Sequence, residues 1–429
     1  MQKIRDCIVI GFALFAMFVG SGNIIFPVYL GQLSGSAYWL AWLAFACTAV
    51  GLPVLGILAL ANAGGKPNQL IGAISPKLAI LMNLSIITFI GPLFAIPRTA
   101  ATTVELAILP FVPAGISKTL IMVLGTGIFF GICYLFIINP SRVVDRIGVY
   151  LTPILVAFCA ILVICGFMMQ SIPQTTTPTG IFHLSFITGY QTMDALASVM
   201  FGGTIYYTFR HKGYQHKQAV KLLIPCAIIA GFALLLLYLG LAHLGAINYG
   251  SFAQNLDKTS MLSTVVYRLL GTAGNIILAV IILVACLTTA IGLLVTSANY
   301  YQQTFSKNSS EKNWLLTVTL ISFGISILGV EGIIKLAGPV LELAYPLLII
   351  IIIFNLQQKL PSCVLSGGLI CALPFALANA LRAIDILPAS AKVILEQFPL
   401  GLTSFNCFLP ALVGAVIGTI YSAYRKATH

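Results

Sequence analysis

Charge is scarce in this chain: only 7% of its 429 residues are Asp, Glu, Lys or Arg, and only ten are acidic. Soluble domains carry about 25% charged residues, so the composition excludes an ordinary soluble domain. Hydrophobic residues make up 59% of the chain, and the mean hydropathy is +1.03. The sequence therefore predicts an all-α protein that crosses a membrane many times.

Motifs of energy-driven pumps and membrane proteases are also missing. The sequence has no GxxxxGK[ST] phosphate loop, no HExxH zinc motif and no GxSxG nucleophile motif. Its ten cysteines contain no CxxC pair, which favours a packing role over metal or disulfide chemistry. We therefore expect neither an enzyme nor a cofactor.

Basic residues are dispersed through short loops rather than gathered in a patch, although the net charge is +12. Nucleic-acid binding is not expected from such a distribution. Most of the basic loop residues fall on the side of the N-terminus, for example Arg142, Arg146, Arg210 and Lys217. Because cytoplasmic loops are enriched in Lys and Arg, we expect an even number of spans with both termini cytoplasmic.

Apolar windows of about 20 residues, the length that crosses a bilayer, recur along the whole chain. Twelve spans are predicted, at 8–30, 37–60, 79–107, 117–138, 147–169, 188–209, 218–243, 265–300, 314–330, 337–355, 362–382 and 404–424. The window 265–300 is long enough to be one tilted helix or to contain a short extra element near Gly271–Gly274.

Two of these spans contain glycine pairs that predict broken helices. Gly20-Ser21-Gly22-Asn23 lies inside the first span and Phe201-Gly202-Gly203-Thr204 inside the sixth. A glycine inside a helix costs about 1 kcal/mol relative to alanine, and unwound backbone is tolerated in a membrane only where it lines a cavity or is buried in protein. Glycines that only allow close helix packing are the commoner alternative.

The positions of the two breaks predict an inverted repeat. Five spans occupy residues 1–170 and five more occupy 171–356. Because five crossings leave the chain on the other side of the membrane, the second set of spans enters from the opposite side and any repeat is inverted. Interrupted helices at matching positions of two halves indicate a binding site at the membrane midplane. Residues 357–429 then form two accessory spans and a short cytoplasmic tail.

Each break offers groups that can bind a small charged solute. A half-helix starting after Asn23 presents its free amides and positive dipole end to an anionic group. In the sixth span, Phe201 can cover an apolar ligand and Thr204 can donate its hydroxyl. An aromatic residue in a membrane helix more often serves packing.

Three residues of the eighth span lie on one helix face, because they are spaced i, i+3 and i+4: Ala285, Thr288 and Thr289. A carbonyl and two hydroxyls are suitable ligands for sodium, since hard cations prefer oxygen. The spacing alone leaves a second interpretation open, in which the threonines bond back to their own helix.

Four ionisable residues fall within spans, namely Arg98, Glu105, Asp194 and Glu342. A charge at the bilayer centre costs about 3 kcal/mol on insertion scales, so each should face protein or water. We interpret them as gating or structural groups. Asp194 lies near the outer end of its predicted span, which is compatible with a position at the membrane–water interface.

Three segments resemble the bacterial branched-chain amino acid:cation symporter family of the amino acid–polyamine–organocation superfamily. They are GFALFAMFVGSGNIIFPVYLG at 11–31, GPLFAIPRTAATTVE at 91–105 and MDALASVMFG at 193–202. The likeness covers nearly the whole chain. It implies a leucine-transporter-like fold with a 5+5 inverted repeat and broken helices 1 and 6.

The resemblance also implies roles for particular residues. Ser21, Gly22 and Asn23 match contacts to a substrate carboxylate, and Phe201 and Gly202 match the sixth-helix substrate region. The carbonyls of Ala16 and Val19, together with Ala285, Thr288 and Thr289, match a sodium site. A second sodium site of the fold has no clear ligand set here, which favours one cation per substrate.

The expected function is import of leucine, isoleucine or valine with sodium across the bacterial cytoplasmic membrane, with no obligate protein partner. A proton-coupled carrier or exchanger is the alternative, with Glu105, Asp194 or Glu342 titrating. A channel or a membrane enzyme has less support, since the apolar spans supply neither a continuous polar pore nor a reactive cluster.

Overall fold

The computed structural model describes residues 2–428 apart from 73, 75, 114, 138–146, 170–178, 251–256, 306–309, 358–359 and 398–403. Throughout these residues the regular structure is helical. The basic residues Arg142 and Arg146 and the predicted repeat boundary at 170–171 lie outside the described residues.

The described chain contains eighteen α-helices, which are numbered here in chain order. Their bounds are α1 Gln2–Phe18, α2 Ser21–Ser34, α3 Tyr38–Ala46, α4 Leu52–Asn62, α5 Gln69–Gly72, α6 Pro76–Thr88, α7 Ala95–Thr103, α8 Lys118–Ile137, α9 Thr152–Met168, α10 Ile181–Thr188, α11 Asp194–His211, α12 His216–Ala246, α13 Lys258–Phe305, α14 Glu311–Ser326, α15 Gly329–Leu356, α16 Ser362–Ala383, α17 Ala389–Gln397 and α18 Phe408–Thr428.

Nine helical stretches of the described chain are long and apolar enough to cross a membrane. They are Ser21–Asn62, Pro76–Phe111, Lys118–Ile137, Val149–Met168, His216–Ala246, Lys258–Phe305, Gly329–Leu356, Ser362–Ala383 and Phe408–Arg425. Ser21–Asn62 contains 42 residues, more than a single crossing needs. The count of twelve spans and the inverted 5+5 repeat stay predictions.

The first helix break lies where the sequence predicts it, within a residue or two. The first helix, α1, ends at Phe18, and α2 begins at Ser21, so Val19 and Gly20 form the interruption. Gly20 is extended (φ −106°, ψ −165°), and its N–H donates to Asn23 Oδ1 at 3.2 Å. The asparagine side chain thereby satisfies one amide that the broken helix leaves free.

The second break was predicted at the wrong residues. Helix α11 runs without interruption from Asp194 to His211, through Gly202 and Gly203. The interruption lies earlier, where a 3₁₀ turn at Gly189–Thr192 leads into Met193, whose backbone is left-handed (φ 65°). The glycine pair instead accommodates neighbours, because a Cβ on Gly202 would lie 2.7 Å from Leu60 and one on Gly203 would lie 3.0 Å from Pro67.

Two further helices are interrupted. Gly91 is non-helical (ψ −112°) and is followed by Pro92, so α6 and α7 are offset from one another. This break was not predicted. Gly271 has φ 60° inside α13, at the place where the sequence left open an extra element within the long eighth span.

Helices α2 and α12 approach so closely that only glycine fits between them. A Cβ on Gly31 would collide with the carbonyl oxygen of Ala242, and one on Gly245 would collide with the carbonyl oxygen of Val28. Both obstacles are backbone atoms, so no rotamer change can relieve them. The contact fixes α2, and with it one side of the first break, against the neighbouring helix.

Gly31→Val is therefore expected to destabilise the protein by at least about 3 kcal/mol, the upper range of overpacking costs. Thermal unfolding in detergent, followed by size-exclusion chromatography, measures the effect. The matched control is Gly131→Val on α8, where a Cβ would meet nothing within 4 Å. Equal melting temperatures for the two variants would contradict the packing argument.

Candidate functional site

The interruption before α2 and the one before α11 meet around one small, buried cavity. From the first break it is lined by Gly20, Ser21 and Asn23, and from the second by Met193 and Asp194. Its volume is about 20 Å³. Binding pockets usually measure about 300–1,000 Å³, so the surrounding helices have to separate before the cavity can hold an amino acid.

Phe201 lies in the wall of this cavity, as the sequence predicts. It is 1% exposed, and its ring packs edge-to-face against Phe18 with 5.5 Å between the centroids. The two aromatic rings form an apolar wall beside the polar groups of the breaks. An aliphatic side chain is the kind of group that such a wall accommodates.

A buried carboxylate stands at the second break. Asp194 is 3% exposed, so its carboxyl group is enclosed by protein. Its Oδ2 accepts a hydrogen bond from Asn23 Nδ2 and one from the Tyr238 hydroxyl at 3.4 Å. Asn23 Nδ2 also bonds the Tyr238 hydroxyl. Asp194 thereby connects the second break to α2 and α12.

Arg98 on α7 connects the two breaks from the opposite side. Its Nε donates to Ser21 Oγ at 3.2 Å, and its Nη1 donates to the Gln191 carbonyl at 2.6 Å. A longer contact of 3.4 Å joins Nη2 to the Thr192 carbonyl. The guanidinium is 3% exposed and satisfies carbonyls that the interrupted helix leaves without intrahelical partners.

A second group of oxygens lies where α13 crosses the end of α1. Thr288 Oγ1 lies 2.7 Å from the Ala16 carbonyl oxygen and 2.8 Å from the Ala285 carbonyl oxygen, which share its one hydroxyl proton. Thr289 Oγ1 donates to the Met17 carbonyl at 2.8 Å. Both threonines therefore reach across to α1, and the interpretation that they bond only to their own helix is wrong.

This oxygen group adjoins the central cavity. Thr289 lines the cavity, and a Cβ on Gly20 would lie 3.2 Å from Thr289 Oγ1. Val19, the remaining residue of the predicted sodium set, is in the break itself and donates its N–H to the Phe15 carbonyl at 2.9 Å. All five residues of that set belong to the two segments that cross here.

The other predicted substrate residues are not among those that line the cavity. Gly22 lies beside Arg98, which does line it, since a Cβ on Gly22 would lie 3.1 Å from Arg98 Nη2. Gly202 and Gly203 face Leu60 and Pro67, as described above. Thr204 shares a 2.9 Å hydroxyl contact with Thr296 of α13. The structure thus brings Phe201 to the cavity but not residues 202–204.

Glu105 belongs to a separate, larger cavity of about 720 Å³, which it lines with Lys118, Asp257 and Glu331. Glu105 Oε1 accepts from the Val330 N–H and Oε2 from the Thr259 hydroxyl, both at 3.1 Å. Glu105 therefore joins α13 to α15 and does not pair directly with Arg98.

Asp257 adds negative charge to this larger cavity. Partial burial acts to raise the pKa of its carboxyl, but hydrogen bonds from Ser260 and Thr259 outweigh burial and lower the pKa below its ordinary value. The group is thus ionised at neutral pH. Glu342, the fourth predicted ionisable residue, is half-buried on α15.

Two residues of the site were missed by sequence reasoning. Tyr238 lies in the middle of an apolar helix, where nothing in the pattern distinguishes it from a packing aromatic. Thr192 had a weak signal: its Oγ1 accepts from the Asp194 N–H at 3.3 Å, and a threonine before an acidic residue is typical of a helix start.

The chain matches a known protein family along nearly its whole length. The model described as "Branched-chain amino acid transport protein" matches residues 3–425. The branched-chain amino acid permease BraB of Bacillus subtilis is 36% identical over 98% of this chain and 96% of its own length. The branched-chain amino acid transport system 2 carrier protein of Pseudomonas aeruginosa is 32% identical over 97% and 95%.

Solved structures share the fold at low sequence identity. A nucleobase-cation-symport-1 family transporter, in a closed conformation with bromovinylhydantoin bound, has a TM-score of 0.63 and 13% identity, covering 98% of this chain and 93% of its own. MhsT in complex with L-phenylalanine has a TM-score of 0.55 and 17% identity, covering 96% and 97%. The predicted leucine-transporter-like fold is confirmed at the level of the overall architecture.

Proposed function

Because this chain belongs to the branched-chain amino acid transport protein family, we propose that it imports leucine, isoleucine or valine by sodium symport. The family consists of transporters, not enzymes. We further propose that the chain forms twelve spans of the bacterial cytoplasmic membrane, with both termini in the cytoplasm and an inverted repeat of residues 1–170 and 171–356.

The observation that carries the sodium proposal is the contact between α13 and the end of α1. Thr288 Oγ1 reaches the Ala16 carbonyl at 2.7 Å and Thr289 Oγ1 reaches the Met17 carbonyl at 2.8 Å. Neutral oxygens suit a hard monovalent cation that must also be released. We propose that sodium binds among the oxygens of Ala16, Val19, Ala285, Thr288 and Thr289.

For the substrate we propose a site between the two breaks. The amides at the start of α2, with Ser21, Gly22 and Asn23, receive the carboxylate, since a helix N-terminus favours negative charge. The aliphatic side chain packs against Phe201. Gly202, Gly203 and Thr204 are left out of this site, because they contact Leu60, Pro67 and Thr296.

Coupling follows from shared elements. The proposed sodium and substrate sites both use the break between α1 and α2, so each ligand favours the same geometry of that break, and each raises the affinity for the other. Alternating access then consists of movement of the broken helices relative to their neighbours around this site.

Reconstituted protein tests the function. In proteoliposomes with an inward sodium gradient, uptake of radiolabelled leucine is expected to exceed uptake without sodium at least about tenfold, and unlabelled isoleucine and valine are expected to compete. Uptake that follows pH and persists in sodium-free buffer would favour the proton-coupled alternative. Non-saturable flux without counterflow would favour a channel.

A further inference from the structure

The central cavity holds one positive and one negative side chain. Among the described residues that line it, Arg98 and Asp194 are the basic and acidic ones. Both are 3% exposed, and charges so buried are retained only where they are compensated. The wall of the cavity is thus electrically dipolar rather than cationic or anionic.

The positive end of this dipole lies with the proposed carboxylate site. Arg98 Nε donates to Ser21 Oγ, and Ser21 is the first residue of α2. Arginine has five N–H donors, and the contacts described for Arg98 in this part of the chain use three of them. A carboxylate at the start of α2 therefore meets both the helix amides and a nearby guanidinium.

The negative end lies across the cavity at the second break. The hydrogen-bond donors that reach Asp194 Oδ2, the Asn23 amide and the Tyr238 hydroxyl, are both uncharged. An ammonium group adds a Coulomb attraction to its hydrogen bond with a carboxylate, which a neutral amide or hydroxyl donor does not supply. An ammonium group entering the cavity therefore competes favourably for this oxygen.

We propose that Asp194 binds the α-ammonium group of the substrate, which replaces the hydrogen bond from Tyr238. The site thereby selects zwitterionic amino acids with a free amino group over carboxylic acids of the same shape. This inference rests on the proposed function and adds the determinant that recognises the amino end of the substrate.

The test combines a side-chain change with a ligand change. Binding of leucine and of 4-methylpentanoate, which is leucine without its amino group, is measured by competition on purified protein in saturating sodium. Wild type is expected to prefer leucine by at least about 100-fold, since a site built to bond a polar group rejects ligands that lack it. In Asp194→Asn, leucine binding weakens about 100-fold, whereas 4-methylpentanoate binding changes less than about threefold.

Glu331→Gln serves as the matched control. Glu331 lines the larger cavity with Glu105, and its Oε1 lies 3.5 Å from Lys258 Nζ. Its substitution is expected to leave the preference for leucine unchanged. If Asp194→Asn weakens both ligands equally, the residue has a structural role and the proposal is overturned. A shifted sodium requirement with unchanged ligand preference would overturn it too, by assigning Asp194 to the cation.

A second variant decides the matter if Asp194→Asn does not fold. Tyr238→Phe removes a hydroxyl that competes for Asp194, so leucine is expected to bind equally well or up to about tenfold tighter, with 4-methylpentanoate unaffected. Loss of leucine binding in Tyr238→Phe would contradict the proposal. Wild type that binds leucine without preference over 4-methylpentanoate overturns only the assignment of Asp194, whereas wild type that does not bind leucine overturns the transport function as well.

Discussion

Sodium-stimulated leucine uptake is expected to fall at least about 100-fold when Thr288 and Thr289 are both replaced by alanine. The two hydroxyls reach the Ala16 and Met17 carbonyls at 2.7 and 2.8 Å. Removing them takes two oxygens from the proposed sodium ligands and leaves two buried carbonyls without those donors. Each unsatisfied buried acceptor costs about 1–3 kcal/mol, in addition to the lost ion affinity.

Two measurements separate the loss of the ion from a loss of folding. The thermal stabilisation that sodium gives to wild type, measured by melting with sodium and with choline, is expected to disappear in the double variant. Leucine binding at very high sodium is expected to recover partly, because mass action offsets a weakened site. A variant that keeps the sodium effect but transports no leucine would refute the assignment of these two threonines.

Thr126→Ala is the matched control for that experiment. Thr126 is as buried as Thr288, both being 0% exposed, but its hydroxyl donates to the Met122 carbonyl of its own helix. A threonine that bonds back to its own helix contributes little to helix stability. Sodium-driven uptake by Thr126→Ala is therefore expected to stay within about twofold of wild type.

The first break was predictable because its sequence contradicts helix formation locally. Gly20, Ser21, Gly22 and Asn23 supply flexibility and a side chain that bonds free backbone amides, and these properties are local. The observed contact of Asn23 Oδ1 with the Gly20 N–H is of this kind. A helix break that depends on neighbouring residues in this way can be located from the sequence within a residue or two.

The second break was misplaced because a glycine pair that breaks a helix and a glycine pair that allows close helix packing look identical in sequence. Gly202 and Gly203 pack closely against Leu60 and Pro67, a tertiary contact that sequence alone does not reveal. The actual interruption depends on Met193 in a left-handed conformation, which a non-glycine residue adopts only when its surroundings enforce it.

Side-chain pairing across the bundle was similarly beyond the sequence. The sequence identified the four ionisable residues as unusual, but it did not identify their hydrogen-bond partners. Arg98 bonds Ser21 and Gln191, whereas Glu105 bonds Thr259 and the backbone of Val330. The threonine face of α13 was visible from its spacing. Of its partner carbonyls on α1, some 270 positions away in the chain, the family resemblance gave that of Ala16 but not that of Met17.

Arg98→Gln is expected to abolish leucine transport and to destabilise the protein by about 3–5 kcal/mol, the cost of leaving a buried charge without compensation. The substitution removes donors from the Gln191 and Thr192 carbonyls and from Ser21 Oγ. It also leaves Asp194 as the one charge among the described residues that line the cavity. Uptake assays and melting temperature measure the two effects.

Arg98→Lys separates charge from geometry. Lysine keeps the positive charge but presents it from a single nitrogen, so it cannot reach both breaks as the planar guanidinium does. The variant is expected to recover most of the stability and less than about a tenth of the transport. Wild-type transport by Arg98→Lys would show that charge alone is required at this position.

The double variant Arg98→Gln/Asp194→Asn removes both charges and separates stability from transport. Because the double variant leaves neither buried charge without an opposite one nearby, it is expected to melt at a higher temperature than either single variant. Its leucine uptake is expected to remain absent, since neither end of the zwitterion then meets an opposite charge. A double variant less stable than both singles would show that Arg98 and Asp194 do not compensate each other, and that Arg98 acts only through the carbonyls of the second break.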